Sequence, residues 1–356
     1  MKRVPLKGLS FDELQSFAES MGEKRFRGAQ LYAWLYAKGA QTFDEMTDIS
    51  REFRAILQQS AHLGNLEVVN TSRSFSDATT KYLFRLEDGA AVESVLIPPE
   101  KKSPGADRRL TLCVSTQVGC PLDCKFCATG TMGFSRDLTA GEIVDQVLQA
   151  QRLSQRRITN LVYMGMGEPM LNYDEVMKSI DILTDDRALN IGTRHITVST
   201  AGYADRIRRM ADENRKVKLA LSLHTLDNEK RTGIMPITKK FPVPELLEAL
   251  AYYYHRVRRR PTLEYILFDG FNDTDEDLRR LIAVSKRFPM KVNLIPFHSI
   301  AFTHLAGIGA QLRPTPRERI ESFAAALRTA NITVMVRNSS GQDINAACGQ
   351  LALSTP

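Results

Sequence analysis

The chain has 356 residues, of which 43% are hydrophobic and 25% charged, a composition typical of a globular protein large enough for two domains. We find no membrane-spanning stretch and no apolar signal segment at the start, and three of the five cysteines crowd into one loop instead of forming a disulfide framework. We therefore expect a protein of the reducing cytoplasm. Its net charge of +7 favours a polyanionic partner without establishing one.

The first part of the chain is predicted to be helical, with helices at 11–20 and 27–36. We predict that residues 81–85 and 91–97 are the two strands of a hairpin, with Glu87-Asp88-Gly89 as the turn signal. The polar stretch 100–109, which contains Pro104 and Gly105, is typical of a linker. We predict four parts: a helical accessory domain (1–80), a hairpin and linker (81–106), a core (107–340) and a C-terminal segment (341–356).

From residue 111 onward, short β-branched runs alternate with helical patterns. Thr139 with Glu142 predicts a capping box before the first of these helices, and Thr315 with Glu318 predicts one before the last. Repeated βα units require a parallel sheet covered by helices, and six units instead of eight predict an α/β fold with an incomplete, TIM-like (βα)6 barrel. The strands are expected at 111–116, 158–164, 196–199, 217–222, 263–267, 292–295 and finally 332–336.

Three cysteines occur in the run Cys120-Pro-Leu-Asp-Cys124-Lys-Phe-Cys127. A 4Fe-4S cluster that only carries electrons usually has a thiolate on every iron, so three thiolates leave one iron open for a reacting molecule. S-adenosylmethionine suits that iron, because its amino and carboxylate groups can chelate it while its sulfonium accepts an electron and breaks into a radical. The alternative is a structural zinc knot with a distant histidine, although no second ligand pair follows at zinc-knuckle spacing.

Polar or glycine-rich residues follow five of the six predicted strands, at the rim where a parallel barrel carries its chemistry. Each one alone is more often a turn or a structural residue, but together they predict a cofactor pocket beside the cysteines. Glycines 165 and 167 allow close approach of the backbone, Glu168 can accept from an ammonium group, and Ser199 and Ser222 can hold a carboxylate or ribose. The loops concerned are 120–127, 165–169, 199–202, 222–224 and 296–298.

Two further cysteines, Cys113 in the first strand and Cys348 in the Gly-flanked, Ala-rich tail, lie outside the cluster motif. Either can be an inert thiol, since cysteine is among the residues most often buried. A flexible thiol near a reactive cofactor can instead act as a nucleophile.

The whole chain resembles the RlmN and Cfr family of radical S-adenosylmethionine RNA methyltransferases. The resemblance rests on long, separated motifs: Val92-Glu-Ser-Val95, the segment 112–127, Met164-Gly-Met-Gly-Glu-Pro169, Ser222-Leu-His224 and Asp343-Ile-Asn-Ala-Ala-Cys-Gly-Gln-Leu351. It implies a radical SAM barrel with a 4Fe-4S cluster on Cys120, Cys124 and Cys127, and an accessory domain (1–80) that contacts RNA. It further implies S-adenosylmethionine contacts from Gly167, Glu168, Ser199, Ser222, Leu223, His224 and, where the family often has Asn, His298.

The resemblance also implies a reaction that uses two molecules of S-adenosylmethionine. Cys348 takes a methyl group from the first and becomes an S-methylcysteine, and the 5′-deoxyadenosyl radical from the second removes hydrogen from that methyl group. The resulting methylene radical adds to an adenine carbon, Glu93 accepts the proton, and Cys113 attacks Cys348 to release the product as a disulfide forms.

The substrates implied are an adenosine in the peptidyl-transferase region of 23S rRNA and the adenosine beside the tRNA anticodon, both methylated at carbon 2. A monomer supplied with electrons by a donor such as flavodoxin or ferredoxin is expected. The Cfr-type alternative methylates carbon 8 of the same ribosomal adenine; Ala128-Thr-Gly130 resembles that branch, whereas Arg136, Asp137 and the accessory domain fit carbon 2. A non-enzymatic RNA-binding protein with a structural cluster is the alternative from another class.

Overall fold

The computed structural model describes residues 3–99, 109–303, 306–337 and 340–353. Residues 100–108, which contain most of the predicted polar linker, lie outside the described part of the chain. The division into four parts at the bounds given above stays a prediction. No helix in the described ranges combines the length and apolarity needed to traverse a bilayer.

The N-terminal part consists of helices and one short pair of parallel strands, and both predicted helices are confirmed. The first helix begins with a capping box, in which Ser10 Oγ accepts from Glu13 N and the Glu13 carboxylate accepts from Ser10 N at 2.6 Å. The elements are β1 (Val4–Pro5), α1 (Phe11–Ser20), α2 (Phe26–Tyr32), which continues as a π-helical turn (Ala33–Ala37), α3 (Arg51–Ser60) and β2 (Ala61–His62).

Three antiparallel strands follow, β3 (Glu67–Arg73), β4 (Thr80–Arg85) and β5 (Ala91–Ile97). The last two form the predicted hairpin, closed by Leu86 N donating to Ala90 O at 2.7 Å. The sequence analysis did not predict β3, because alternate residues of this strand are exposed and its polar composition gives little hydrophobic signal.

The predicted alternation of strands and helices is confirmed from residue 111 onward. In chain order the elements are β6 (Thr111–Cys113), β7 (Gln117–Gly119), α4 (Ala128–Thr131), β8 (Phe134–Asp137), α5 (Ala140–Ser154), β9 (Asn160–Tyr163), α6 (Tyr173–Thr184), β10 (Ile196–Thr200), α7 (Ala204–Asp212), β11 (Lys218–Ser222), α8 (Asn228–Ile234), α9 (Val243–Val257), β12 (Thr262–Leu267), α10 (Asp275–Ser285), β13 (Lys291–Pro296), α11 (Arg317–Thr329) and β14 (Thr333–Val336).

Within the described residues, ten strands form one sheet in the order β14-β13-β12-β11-β10-β9-β6-β5-β4-β3. The strands from β6 to β14 in this sheet are parallel, and β14 is an edge, so the predicted incomplete barrel is confirmed. The hairpin is part of this sheet instead of a separate connection, because β5 pairs with β6 through Leu96 and Leu112. Residues Val92–Leu96 are all buried, which requires cover on both faces of the strand.

The first predicted barrel strand, 111–116, is shorter than expected, since β6 ends at Cys113. Residues Gln117–Gly119 instead form a strand of their own, β7, which pairs with β8 in a separate antiparallel ribbon. This ribbon encloses the three-cysteine loop and α4, and so fixes both ends of the cysteine motif.

One of the two predicted capping boxes is confirmed and the other is wrong. Thr139 Oγ1 accepts from Glu142 N, and the Glu142 side chain accepts from Thr139 N, at the start of α5. Helix α11 has Pro316 at its N-cap and no capping side chain, because the Thr315 hydroxyl donates to buried Asp273 Oδ2 at 2.8 Å. The Thr315 hydroxyl is therefore used in a hydrogen bond to a buried carboxylate and does not cap the helix as the sequence pattern predicted.

A buried polar contact joins the N-terminal part to α5. Lys7 Nζ forms an ion pair with Asp145, whose second oxygen accepts from Leu66 N at 2.6 Å. Next to it the backbones touch, since a Cβ on Gly8 would lie 2.7 Å from Gly141 N. The first turn of the chain is thereby held against the side of the barrel.

Candidate active site

A cavity of about 800 Å³, its open mouth included, lies at the carboxyl ends of the parallel strands. This is the rim at which the sequence analysis placed the polar loops. The predicted site residues that line it are Cys120, Cys124, Cys127, Gly167, Glu168, Ser199, Ser222, His224 and Cys348. The predicted residues that do not line it are Glu93, Cys113, Leu223 and His298.

The three-cysteine loop is fixed by its own backbone. Cys120 N donates to Gly133 O at 2.8 Å and Cys127 N donates to Cys124 O at 3.0 Å. Gly119, just before the loop, has a φ of +75° and lies so close to the ribbon that a Cβ there would be 2.0 Å from Gly133 O. Glycine is therefore required at 119 to bring Cys120 into place.

The protein surroundings alone favour the protonated form of these thiols. Burial raises the pKa of Cys120 to about 12 and raises the pKa of Cys124 well above its usual value. Bound iron supplies the positive charge that keeps buried cysteines as thiolates. The donor set therefore fits a thiophilic metal group.

The zinc alternative makes a different demand on the arrangement of the ligands. In the ranges that the structure describes, no three His, Cys, Asp or Glu side chains come close enough to hold one metal ion. A tetrahedral zinc site needs its ligands gathered around one atom, whereas the thiolates of an iron-sulfur cube bind separate irons. The arrangement does not favour the zinc alternative.

Glu168 lies at the floor of the cavity in the loop after β9. Its two oxygens accept from Met170 N at 3.0 Å and from Ala201 N at 2.7 Å, which orients the carboxyl group. Burial raises its pKa to about 7. A buried carboxyl group of this kind favours a cationic ligand, because the cation offsets the loss of hydration.

Gly167 lets this loop approach the segment after β6. It has a φ of +98°, and a Cβ at this position would lie 2.5 Å from Gln117 Cβ. The Gln117 carboxamide then accepts from Glu168 N at 2.8 Å.

His224 follows β11 and is neutral. Burial lowers its pKa to about 3, and its Nδ1 accepts from Ile266 N at 3.0 Å, so the ring proton lies on Nε2. Phe126 of the cysteine loop packs edge-on against this ring, with centroids 4.7 Å apart. The imidazole therefore lines the cavity as a fixed hydrogen-bond donor.

The other predicted contacts occupy different surroundings. Ser199 is the last residue but one of β10, Ser222 is the last residue of β11, and both line the cavity. Leu223 is fully buried next to Ser222, and its backbone N donates to Glu264 O at 3.0 Å. His298 is half-buried after β13.

The tail carries Cys348 to the cavity and is held there by hydrogen bonds to α4. Ala128 N donates to Gly349 O at 2.7 Å, and Thr129 Oγ1 donates to Leu351 O at 2.7 Å. Cys348 is exposed, although it also lines the cavity that contains the three motif cysteines. The chain thus brings a fourth thiol to the site from a distant part of the sequence.

Cys113 and Glu93 lie on neighbouring strands, β6 and β5, behind the tail. Burial first, and then the negative charge of a Cys348 thiolate, raises the pKa of Cys113 to about 12. Glu93 is fully buried, with Lys81 Nζ 3.0 Å from its Oε1 and Ala352 N donating to its Oε2 at 3.1 Å. The Glu93 carboxylate is therefore covered by the tail.

The sequence analysis missed a cation at this site, Arg337. It follows β14 directly, lines the cavity and lies 3.8 Å from Glu264 Oε2, a second cavity residue that was not predicted. The negative charge of a Cys348 thiolate is the main cause of the raised pKa of Arg337; burial opposes the rise, and Glu264 and Cys113 add to it. The rim rule applied to the last strand would have found Arg337.

A parallel partial barrel, a three-cysteine loop at its carboxyl rim and a buried carboxyl group beside that loop together define a radical S-adenosylmethionine enzyme. The family model for the Radical SAM superfamily matches residues 114–282, and the Ribosomal RNA large subunit methyltransferase N-terminal domain matches residues 4–63. The cofactors of the superfamily are a 4Fe-4S cluster and S-adenosylmethionine, and the residues described above fit both.

Comparison with individual proteins narrows the family. The chain is 44% identical to a probable dual-specificity RNA methyltransferase RlmN of Salinibacter ruber, over 98% of this chain and 94% of that protein. It is 43% identical to the dual-specificity RNA methyltransferase RlmN of Geobacter sulfurreducens, over 98% and 92%. A radical SAM methyltransferase from Sphaerobacter thermophilus has the same fold, with a TM-score of 0.89, 39% identity and coverage of 98% and 99%. The chain belongs to the RlmN family of radical S-adenosylmethionine RNA methyltransferases.

Proposed function

We propose that this enzyme methylates carbon 2 of an adenosine in the peptidyl-transferase region of 23S rRNA and of the adenosine beside the anticodon in tRNA. The relatives named above as dual-specificity RNA methyltransferases support both RNA classes. The observation that carries the proposal is Cys348, which a docked tail places in the same cavity as the three motif cysteines. A methyl carrier on the protein has to reach both the cofactor and the RNA base.

The cluster and S-adenosylmethionine supply a one-electron cleavage and a methyl group when they are bound. Cys120, Cys124 and Cys127 would hold three irons of the cluster. Glu168 would accept an N–H from the amino group of S-adenosylmethionine, and His224 Nε2 would donate to one of its oxygens. These contacts orient the cofactor and exclude water from the floor of the cavity.

Three residues behind the rim would complete the methyl transfer to RNA. Cys348 would carry the methyl group as a thioether, and Glu93 would accept a proton from the adenine once the tail uncovers its carboxylate. Cys113 would then attack the Cys348 sulfur, so that the bond from that sulfur to the new methyl carbon breaks, the carbon takes up a proton and the product leaves as a disulfide forms. The charge of Arg337 would oppose the burial that raises the pKa of Cys113.

The proposal also includes an electron donor, an oligomeric state and a location in the cell. The cluster needs an external reductant, for which a small acidic electron carrier such as flavodoxin or ferredoxin suits the net charge of +7. We propose a monomer that acts in the cytoplasm, where both RNA classes occur.

Mass spectrometry of nucleosides tests the activity directly. Reconstituted enzyme, reductant and S-adenosylmethionine are incubated anaerobically with tRNA or a 23S rRNA fragment, and 2-methyladenosine is the expected product in both. Formation of 8-methyladenosine would show that the enzyme has the Cfr-type activity instead. RNA binding without any methyl transfer would indicate the non-enzymatic alternative. Cys348→Ala should bind RNA and form no methylated adenosine.

A further inference from the structure

A second cleft lies at the opposite end of α5 from the cavity. It has a volume of about 1310 Å³, open mouth included, and is formed by the π-helical turn of the N-terminal part, the end of α5 and the loop after α6. Four of its lining residues are cationic, Lys38, Arg152, Arg156 and Arg157, and none of the described lining residues is acidic.

Three of these cations are held by neutral groups. Arg157 Nη2 donates to Leu189 O at 3.2 Å, and Arg152 Nε donates to Gln149 Oε1 at 3.0 Å. Lys38 Nζ lies 3.5 Å from the centroid of the Trp34 ring. These contacts orient the side chains but bring no negative charge to them, and among the described residues none of the three cations forms an ion pair, so the cleft attracts a polyanion.

We propose that this cleft binds backbone phosphates of the RNA substrate, at a distance from the target adenosine. The inference rests on the proposed function and extends it. Helix α5 has 15 residues, about 22 Å of length, and the cysteine loop lies near its start while the cleft lies at its end. Arginine and lysine contacts to phosphate fix the register of RNA without reading its sequence, which suits an enzyme that accepts two different RNAs.

The test compares a cleft variant, Lys38→Ala with Arg152→Ala and Arg157→Ala, with a control that loses the same charge from exposed positions around the end of α10. The control is Arg279→Ala with Lys286→Ala and Arg287→Ala. The dissociation constant for full-length tRNA is measured over a range of salt concentrations, together with KM and kcat for methylation.

For the cleft variant we expect weaker tRNA binding and a slope of log K against log salt that is smaller by about 2. KM for RNA should rise while kcat and S-adenosylmethionine binding stay unchanged, because the cavity is untouched. An affinity and slope equal to those of wild type, or an equal loss in the control, would overturn the assignment. Absence of RNA methylation by wild-type enzyme would overturn the proposed function itself.

A second inference comes from a different feature, the buried guanidinium of Arg231 in α8. Its side chain has no exposed surface, and it donates to Leu223 O at 3.0 Å, Ser222 O at 2.9 Å and Thr238 Oγ1 at 2.8 Å, and also to Ala201 O. One side chain therefore holds the carboxyl ends of β10 and β11, where Ser222 and Ala201 line the cavity.

Arg231 carries its charge without an acidic partner, since no ion pair found among the described residues includes it. Burial lowers its pKa to about 10, so the group remains charged at neutral pH, and the charged group that acts on it is the Cys124 sulfur. Helix α8 also contacts the cysteine loop directly, with Lys125 N donating to Ile234 O at 2.9 Å. A buried unpaired charge is costly unless a negative group is bound close to it.

We infer that Arg231 is a positioning residue that holds the two strand ends around S-adenosylmethionine and raises the reduction potential of the cluster. A cluster held by three thiolates carries net negative charge, and reduction adds one electron to it. A fixed positive charge at low dielectric favours the more negative, reduced form.

The potential is measured by a redox titration monitored by electron paramagnetic resonance, and S-adenosylmethionine affinity is measured by calorimetry. Arg231→Met should make the potential more negative, whereas Arg280→Met on the surface of α10 should leave it unchanged because water screens that charge. Arg231→Lys should keep the potential closer to wild type but weaken S-adenosylmethionine binding, since an ammonium group cannot span the same carbonyls.

A cluster-loaded Arg231→Met protein with the potential of wild type would overturn the electrostatic role. If that variant does not fold, Arg231→Lys decides alone. Unchanged S-adenosylmethionine affinity would overturn the positioning role, and a potential far more negative than that of wild type, although the positive charge is kept, would overturn the electrostatic role.

Discussion

At the scale of single residues, burial and neighbouring charges set the chemistry of the cavity. Burial raises the pKa of Glu168 to about 7 and lowers that of His224 to about 3, so one group can change its charge near neutral pH while the other stays neutral. The first would suit the amino end of a ligand and the second an oxygen acceptor. The two side chains therefore discriminate between the ends of an amino acid.

The first prediction concerns proton release when S-adenosylmethionine binds. Because the raised pKa leaves Glu168 largely protonated below pH 7, the carboxyl group must lose a proton there before it can accept an N–H from the amino group of S-adenosylmethionine. We expect affinity to fall as the pH drops from 7.5 to 6, with about one proton released per molecule bound at the lower pH. Calorimetry in buffers of different ionisation enthalpy measures this release.

Glu168→Gln supplies the matched comparison, since it keeps the shape of the side chain and loses the titrating group. It should bind S-adenosylmethionine more weakly, by about 1.5–3 kcal/mol, and lose the additional proton release. Identical proton release in the two proteins would assign the titration to another group.

A second prediction separates the roles of the two cysteines that lie outside the motif. Cys113→Ala should still methylate Cys348, but it should leave RNA attached to the protein, because the thiol needed to release the product is missing. The attached RNA is detected as a slowly migrating band in denaturing gels that disappears on nuclease treatment. Free methylated RNA at the wild-type rate would show that Cys113 is not required.

At the scale of elements, the docked tail connects the rim loops to the hairpin. Gly349 O accepts from the first residue of α4, while Glu93 on β5 accepts from the backbone of Ala352. Motion of the tail would therefore move Cys348 and uncover Glu93 together. This coupling suits a carrier thiol that visits a cofactor and then a base.

A third prediction tests this docking with Gly349→Ala. Gly349 has a φ of +83°, and a Cβ there would lie 3.1 Å from Phe126 O, so alanine is expected to destabilise the docked tail by about 1–2 kcal/mol. The fraction of methylated Cys348, measured by mass spectrometry of the C-terminal peptide, should fall while S-adenosylmethionine affinity is kept.

Gly270→Ala is the control, because it has a φ of +66° but no atom within 4 Å of the added methyl group. Equal losses in both variants would attribute the effect to backbone strain in general instead of the contact with the cysteine loop.

The elements that the sequence predicted best are those with strong periodicity. The parallel strands and α5 carry continuous hydrophobic patterns, and the motif cysteines follow the first strand, so fold class and rim could be derived together. Strand β3 could not be predicted, because its exposed and polar residues give little hydrophobic signal, and β7 and β8 could not, because they have only three and four residues. The position of Arg337 near Cys348 and Cys113 depends on tertiary packing.

At the scale of the whole molecule, the N-terminal part acts as an extension of the barrel surface. It contacts α5 through the buried Lys7 and Asp145 pair near the start of the helix, and through Gln149, which donates to Gln41 Oε1 at 2.9 Å, further along. The basic cleft lies beyond these contacts, so its geometry depends on this docking. RNA affinity should therefore depend on the buried Lys7 and Asp145 pair, although this pair does not contact RNA itself.

The fourth prediction tests that dependence with Lys7→Met. Side-chain exposure is 1% for Lys7 and 0% for Asp145, so removal of the cation leaves a buried carboxylate unpaired and should cost about 3–5 kcal/mol. Chemical denaturation measures the loss, and tRNA affinity should fall with it.

The double variant Lys7→Met with Asp145→Leu removes both charges and should recover most of the stability and the affinity, because an apolar pair of similar volume replaces the ion pair. Recovery of stability without recovery of tRNA affinity would mean that the charges themselves, and not the docking of the N-terminal part, support RNA binding.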